Sequence, residues 1–154
     1  MSDFPGRAAT NLARQAQALV SGQRDRIANA ANLAALLFQE LDDVNWAGFY
    51  FLHGEQLIVG PFQGKPACVS IPLGQGVCGK AAVTREVQLI PDVYEFEGHI
   101  ACDIESRSEI VVPLIRNGEL LGVLDLDSPL PGRFSEMDQA LLVKIAEIYL
   151  QSID

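Results

Sequence analysis

Apolar residues recur with helical spacing over the first 43 positions and again from about 135 to 152, and with strand spacing in between. Ala8 to Val20 is rich in Ala, Leu and Gln, and Gly22 interrupts it. From Arg24 onward, Ile27, Ala30, Ala31, Ala34, Leu37, Phe38 and Leu41 follow the i, i+3, i+4, i+7 rule of an amphipathic helix. Asp42-Asp43 is expected to close that helix, although acid at a helix C-terminus opposes its dipole. Ser135-Glu136-Met137-Asp138 reads as an N-terminal cap with acid in the first turn. Met137, Leu141, Leu142, Ile145, Ile148 and Tyr149 then form the stripe of a final helix.

The middle of the chain predicts strands. Trp46 to Leu52 is aromatic and apolar, and the turn His53-Gly54-Glu55-Gln56 leads into Leu57-Ile58-Val59 as a hairpin. Further strands are expected at Val69 to Leu73, Val87 to Ile90, Ile110 to Ile115 and Leu120 to Leu126. Arg116-Asn117-Gly118-Glu119 joins the last two through an Asn-Gly turn, the strongest short-range hairpin signal. Val77 to Arg85 reads as a short helix, and Tyr94 to Ser108 as a long polar loop, a feature more often functional than structural. The pattern predicts one α+β domain over residues 1–154: N-terminal helices to about 43, a sheet of about six mostly antiparallel strands over 44–134, and a helix over 135–152. The N- and C-terminal helices are expected to share one face of the sheet.

Composition narrows the classes. The 154 residues are 49% hydrophobic, with a mean hydropathy of +0.17, which excludes a disordered chain. A net charge of −9 with scattered basic residues argues against nucleic acid and anionic membranes as partners. The N-terminus has neither the cationic start nor the apolar core of a signal peptide, and no segment reaches the ~20 apolar residues of a membrane span. A cytoplasmic protein is expected.

Several motifs compete for the chemistry. Gly74-Gln75-Gly76-Val77-Cys78-Gly79 matches G-x-G-x-x-G between a strand and a helix. A dinucleotide fold, however, needs a parallel βαβ unit with a longer crossover helix, and Pro72 does not suit a central parallel strand. A metal centre from Cys68, Cys78, Cys102 and His99 lacks the Cys-x₂₋₄-Cys knuckles of structural zinc sites, so neither metal nor cofactor is expected. The three thiols read either as buried small hydrophobes, which suits Cys78 beside Ala81 and Ala82, or as a redox set, which suits Cys68 and Cys102 in accessible, irregular positions. The acids are the sharper signal. Alternation puts Asp125 and Asp127 on one face of a strand, and counting back from the Asn-Gly turn makes Glu109 nearly their cross-strand neighbour. Like charges opposite one another destabilise a sheet, so the cluster is either a solvated sheet end or a pocket that binds a cation and keeps one acid protonated.

Asn45-Trp46-Ala47-Gly48-Phe49-Tyr50, the cysteines at spacings of ten and twenty-four, Ser108-Glu109-Ile110-Val111-Val112-Pro113 and Gly122-Val123-Leu124-Asp125-Leu126-Asp127-Ser128 together resemble the free methionine-(R)-sulfoxide reductases, which are single GAF domains. The likeness runs from about residue 24 to the end. It implies reduction of free L-methionine (R)-sulfoxide to methionine with thioredoxin as electron donor. By position, Cys102 matches the family's nucleophile, Cys68 its resolving thiol and Cys78 a third cysteine of less settled role. Glu109, Asp125 and Asp127 match its substrate-binding carboxylates, and Trp46 and Tyr50 the walls around the substrate methyl group.

Elementary chemistry agrees with that implication. A thiolate attacks the sulfoxide sulfur while the oxygen takes a proton, which requires an acid still protonated near neutral pH. Crowded carboxyls supply one, and another can hold the α-ammonium that a peptide-bound methionine sulfoxide lacks. The competing classes are a GAF module that senses a small ligand or redox state, and a generic thiol-redox protein. An Ala-rich N-terminal helix could also pack across a homodimer.

Overall fold

Asn117 and Gly118 both adopt positive φ, 54° and 77°, the conformation a two-residue hairpin turn requires. They fold β5 (Ser108–Arg116) onto β6 (Glu119–Ser128), the longest ladder of the sheet. The computed structural model describes residues 5–98 and 105–154. Around that hairpin stand β1 (Trp46–His53), β2 (Gln56–Gly64), β3 (Ser70–Pro72) and β4 (Gln88–Ile90), in the order β3-β2-β1-β6-β5-β4 with every neighbouring pair antiparallel.

The three strand prolines follow this topology. Pro61 falls at the irregularity of the β1–β2 ladder between the Gly48–Phe62 and Tyr50–Val59 pairs, Pro72 ends edge strand β3, and Pro113 lies beyond the stretch Glu109–Val111 where β4 pairs with β5.

The helices are α1 (Pro5–Val20), α2 (Arg26–Glu40), α3 (Gly76–Thr84) and α4 (Glu136–Ser152). Alternation along the strands sends Ala47, Phe49, Ile110, Val112, Leu114, Leu124 and Leu126 to one face, where they pack with Leu33, Leu37, Leu142, Ile145 and Tyr149 of α2 and α4. α1 packs on α2 and α4. The N- and C-terminal helices thus share one face, as the pattern predicts, while α3 covers the opposite face with Trp46, Tyr50, Val111 and Val123.

Helix ends are satisfied by specific side chains. Asp25 accepts from the Ala28 N–H at 2.8 Å, and Ser135 and Asp138 form a reciprocal capping box. α4 carries no basic residue in its own last turn; Arg24 and Arg116 supply the missing cations, donating to the Ile153 carbonyl at 2.8 and 3.0 Å.

Four local expectations change. α2 ends at Glu40, with Leu41 as its extended cap, so Asp42 and Asp43 lie beyond the helix. β2 continues through Gln63 and Gly64, which pair with Ala47 and Trp46. Cys68 precedes β3 instead of opening it. Within the expected loop 94–108, Val93–Glu95 is a 3₁₀ turn and Ser108 already belongs to β5. Among the described residues, no helix is long and apolar enough to cross a membrane.

Candidate active site

The face of the sheet under α3 collects the acids. β1 pairs with β6 so that Trp46 lies opposite Asp127, Gly48 opposite Asp125 and Tyr50 opposite Val123. β5 pairs with β6 so that Glu109 lies opposite Asp127 and Val111 opposite Asp125. Three strands therefore project Trp46, Tyr50, Glu109, Asp125 and Asp127 to one side. Glu109 and Asp125 are only 7% and 4% exposed, which removes the reading of a solvated sheet end; Asp127 is half-buried.

Burial in this apolar layer pushes the Glu109 carboxyl well above the usual carboxylate range, and the neighbouring charges of Asp125 and Asp127 push it further. Asp125 is raised too, by burial; hydrogen bonding with Glu109 and Cys78 offsets part of that rise. No lysine or arginine pairs with Glu109 or Asp125 among the described residues. The Asp125 Oδ1 atom is buried without a hydrogen bond, a costly state for a carboxylate oxygen.

The aromatic wall is stacked. Trp46 and Tyr50 lie 5.7 Å apart between ring centroids, and Phe62 of β2 stacks on the other side of Trp46 at 5.2 Å. Phe62 is absent from the sequence-based candidates, because the apolar stretch of β2 reads as ending at Val59; the aromatic in the following Gly60-Pro61-Phe62 is the signal that could have found it. Gly48 makes the close stacking possible, since a Cβ there would lie 2.8 Å from Trp46 Cη2. The Trp46 indole N–H donates to the Lys65 carbonyl at 3.1 Å, and the Tyr50 hydroxyl donates to the Cys68 carbonyl at 3.4 Å. Both aromatics thereby tie the segment carrying Cys68 to the acid face. Burial, and then the Asp125 charge, push the Tyr50 phenol up, so it stays a neutral donor.

The cysteines separate. Cys68 is half-buried and disulfide-bonded, whereas Cys78 on α3 is buried and free. The Cys78 sulfur, a Glu109 oxygen and an Asp125 oxygen lie within 4.8 Å of one another, a trio able to surround a cation. Cys78 is thus part of the acid cluster as well as of the apolar layer in which the sequence places it. The metal set considered from sequence included Cys68, Cys102 and His99; Cys102 and His99 lie outside the described residues.

A sheet of this order, with three helices on one face and α3 over a buried acid cluster on the other, is that of a GAF domain, and the GAF domain family model matches residues 11–153. The free methionine-R-sulfoxide reductase of Escherichia coli K12 is 52% identical over 129 residues, covering 84% of this chain and 78% of that protein. The protein of the same name from Saccharomyces cerevisiae is 44% identical over 144 residues, covering 88% and 80%. The X-ray structure of free methionine-R-sulfoxide reductase from Neisseria meningitidis in complex with its substrate superposes with a TM-score of 0.94 at 37% identity, covering 99% of this chain and 92% of that one. The chain belongs to the free methionine-R-sulfoxide reductase family of GAF domains.

Proposed function

We propose that this chain is an oxidoreductase that reduces free L-methionine (R)-sulfoxide to L-methionine. The observation that carries the reading is the pair of buried carboxyls, Glu109 and Asp125, with no basic partner among the described residues, beside a stacked aromatic wall. A zwitterionic amino acid brings the missing cation as its α-ammonium, and its S-methyl end suits the faces of Trp46 and Tyr50. Glu109, Asp125 and Asp127 hold the ammonium and keep a proton available for the sulfoxide oxygen.

In the catalytic cycle the Cys102 thiolate attacks the sulfoxide sulfur. The S–O bond breaks as the oxygen, protonated by the carboxyl cluster, passes to Cys102, releasing methionine and leaving a sulfenic acid. The Cys68 thiol then attacks the sulfenic sulfur, expelling water and closing a disulfide. Thioredoxin, through its own dithiol, reduces that bond and leaves as a disulfide. The sum is sulfoxide plus two thiols giving thioether, disulfide and water. Cys68 as a disulfide-bonded residue beside Tyr50, with Cys78 left free, supports this division of roles. Association of two copies through the N-terminal helix belongs to the same reading.

The test is consumption of NADPH by thioredoxin reductase and thioredoxin in the presence of this protein and each methionine sulfoxide. The free (R) epimer is expected to turn over; the (S) epimer and N-acetylated, C-amidated methionine sulfoxide are not. Equal rates on the blocked compound would remove the carboxylate anchor.

A further inference from the structure

We propose that Cys78, Glu109 and Asp125 form a binding site for one thiophilic divalent cation of the zinc class, at the place where the substrate's α-ammonium is held. The ion is an inhibitory ligand of that place and not a cofactor. Its competition with substrate rests on the reductase reading, whereas its binding does not.

The donor set carries the proposal. The Cys78 sulfur and one oxygen each of Glu109 and Asp125 lie within 4.8 Å of one another. Tetrahedral zinc holds sulfur and oxygen ligands about 3.5 Å apart, so the three close on an ion by little more than an ångström. Unlike a surface cluster of acids, all three are buried, at 4%, 7% and 4% exposure. Asp125 Oδ1 is buried without a hydrogen bond, and among the described residues no lysine or arginine pairs with either carboxyl. An unsatisfied buried oxygen and two uncompensated carboxyls leave a cation as the missing partner.

The frame around the donors is preformed. Glu109 and Asp125 are fixed by the β5–β6 ladder, where they lie opposite Asp127 and Val111. Cys78 sits in the first turn of α3. That helix is seated tightly: the Gly74 N–H donates to the Gly79 carbonyl at 3.1 Å, and a Cβ on Gly79 would lie 2.8 Å from the Pro72 oxygen. Donors held this way lose little freedom when an ion arrives.

The chemistry of the set selects the ion. One thiolate and two carboxylates suit zinc or cobalt, with a fourth position open to water. The paired Cys-x₂₋₄-Cys spacing missing from the sequence belongs to closed structural sites, not to three donors with an open position. Magnesium and calcium demand roughly six or more oxygen ligands and gain nothing from sulfur. An ammonium satisfies the carboxyls alone, so a divalent ion outbids it through charge and through the metal–sulfur bond. Binding releases the Cys78 thiol proton, and any proton on the two carboxyls, to solvent; no electron is transferred.

Cobalt(II) alone is the probe. In the disulfide form, and equally in a reduced Cys68→Ser/Cys102→Ser protein, Cys78 is the free thiol, so a thiolate-to-cobalt charge-transfer band reports it. One cobalt per chain is expected, with the band and with the intense visible absorption of a tetrahedral ion. Zinc is expected to displace it, and a hundred-fold excess of magnesium is not. Cys78→Ser, which keeps the side-chain volume, is expected to abolish the band. Asp125→Asn is expected to weaken cobalt binding at least ten-fold, while Asp92→Asn, at a surface ion pair, is not. A band in neither protein form, a band that survives Cys78→Ser, or cobalt affinity indifferent to Asp125→Asn would overturn the site. Free methionine (R)-sulfoxide is then added to the cobalt-loaded double variant and is expected to bleach the band. A Cys78-dependent band that the sulfoxide leaves untouched would keep the metal site and sink the placement of the substrate ammonium at Glu109 and Asp125.

Discussion

Glu109 and Asp127 face each other directly across the β5–β6 ladder, two acids where a sheet gains most from a neutral or opposite-charge pair. Asp125, two residues back on β6, lies opposite Val111 and completes the cluster with Glu109. A sheet keeps such an arrangement for binding or proton transfer, and isosteric changes separate the two from packing. Glu109→Gln, Asp125→Asn and Asp127→Asn retain shape, and at least one is expected to lower kcat by ~10²-fold or more, the scale of lost general acid catalysis. Steady-state kinetics on the free (R) sulfoxide check this; three variants with wild-type kcat and KM would leave the cluster without a catalytic role.

The same burial fixes the sign of a pH effect on stability. Glu109 binds its proton more tightly folded than unfolded, because the charged form is penalised inside. Its contribution to stability is therefore full below the unfolded carboxyl range, near pH 4, and is lost as pH rises toward the raised folded pKa. Glu109→Gln removes that loss. Thermal melts from pH 5 to pH 8 are expected to show the variant gaining relative to wild type as pH increases; a constant difference would mean that Glu109 titrates normally.

Cysteine roles divide by the number of turnovers. Cys102→Ser is expected to yield no methionine even in a single turnover, having lost the nucleophile. Cys68→Ser is expected to release up to about one methionine per chain without reductant and then to recycle poorly with thioredoxin. Rapid-quench measurement on reduced proteins decides, and a full burst from Cys102→Ser with none from Cys68→Ser would exchange the two assignments.

Gly48 is expected to be intolerant of even one methyl group. The added carbon would clash first with Phe62 Cβ, and would meet Trp46 Cη2 at 2.8 Å and the Phe62 Cα at 2.9 Å, so it displaces both the indole and the Phe62 it stacks on. Gly48→Ala should cost about 1–3 kcal/mol, the usual range for overpacking, and should raise KM through the displaced wall. Trp46 is the sole tryptophan of the chain, so its fluorescence reports the displacement directly. Unaltered emission together with an unaltered melting curve would show that the wall is looser than its stacking distances imply.

The sequence by itself determined the elements and the face of the acids. Periodicity places the helices and strands, the Asn117-Gly118 turn sets the β5–β6 pairing next to it, and the pleat puts Asp125 and Asp127 on one face. Local chain geometry suffices for those features, but not for the one-residue shift between Leu114 and Ile115 that moves Glu109 from opposite Leu126 to opposite Asp127. What only the tertiary structure decided is everything that depends on segments distant in sequence. The pairing of β1 with β6 brings Trp46 and Tyr50 beside the acids, and the docking of α3 on the same face buries Glu109 and Asp125 and turns Cys78 from a small core residue into a neighbour of both. Those contacts come from packing one layer over another. The strength of an acid, or the inertness of a thiol, follows from the water that such packing excludes, which no spacing along the chain encodes.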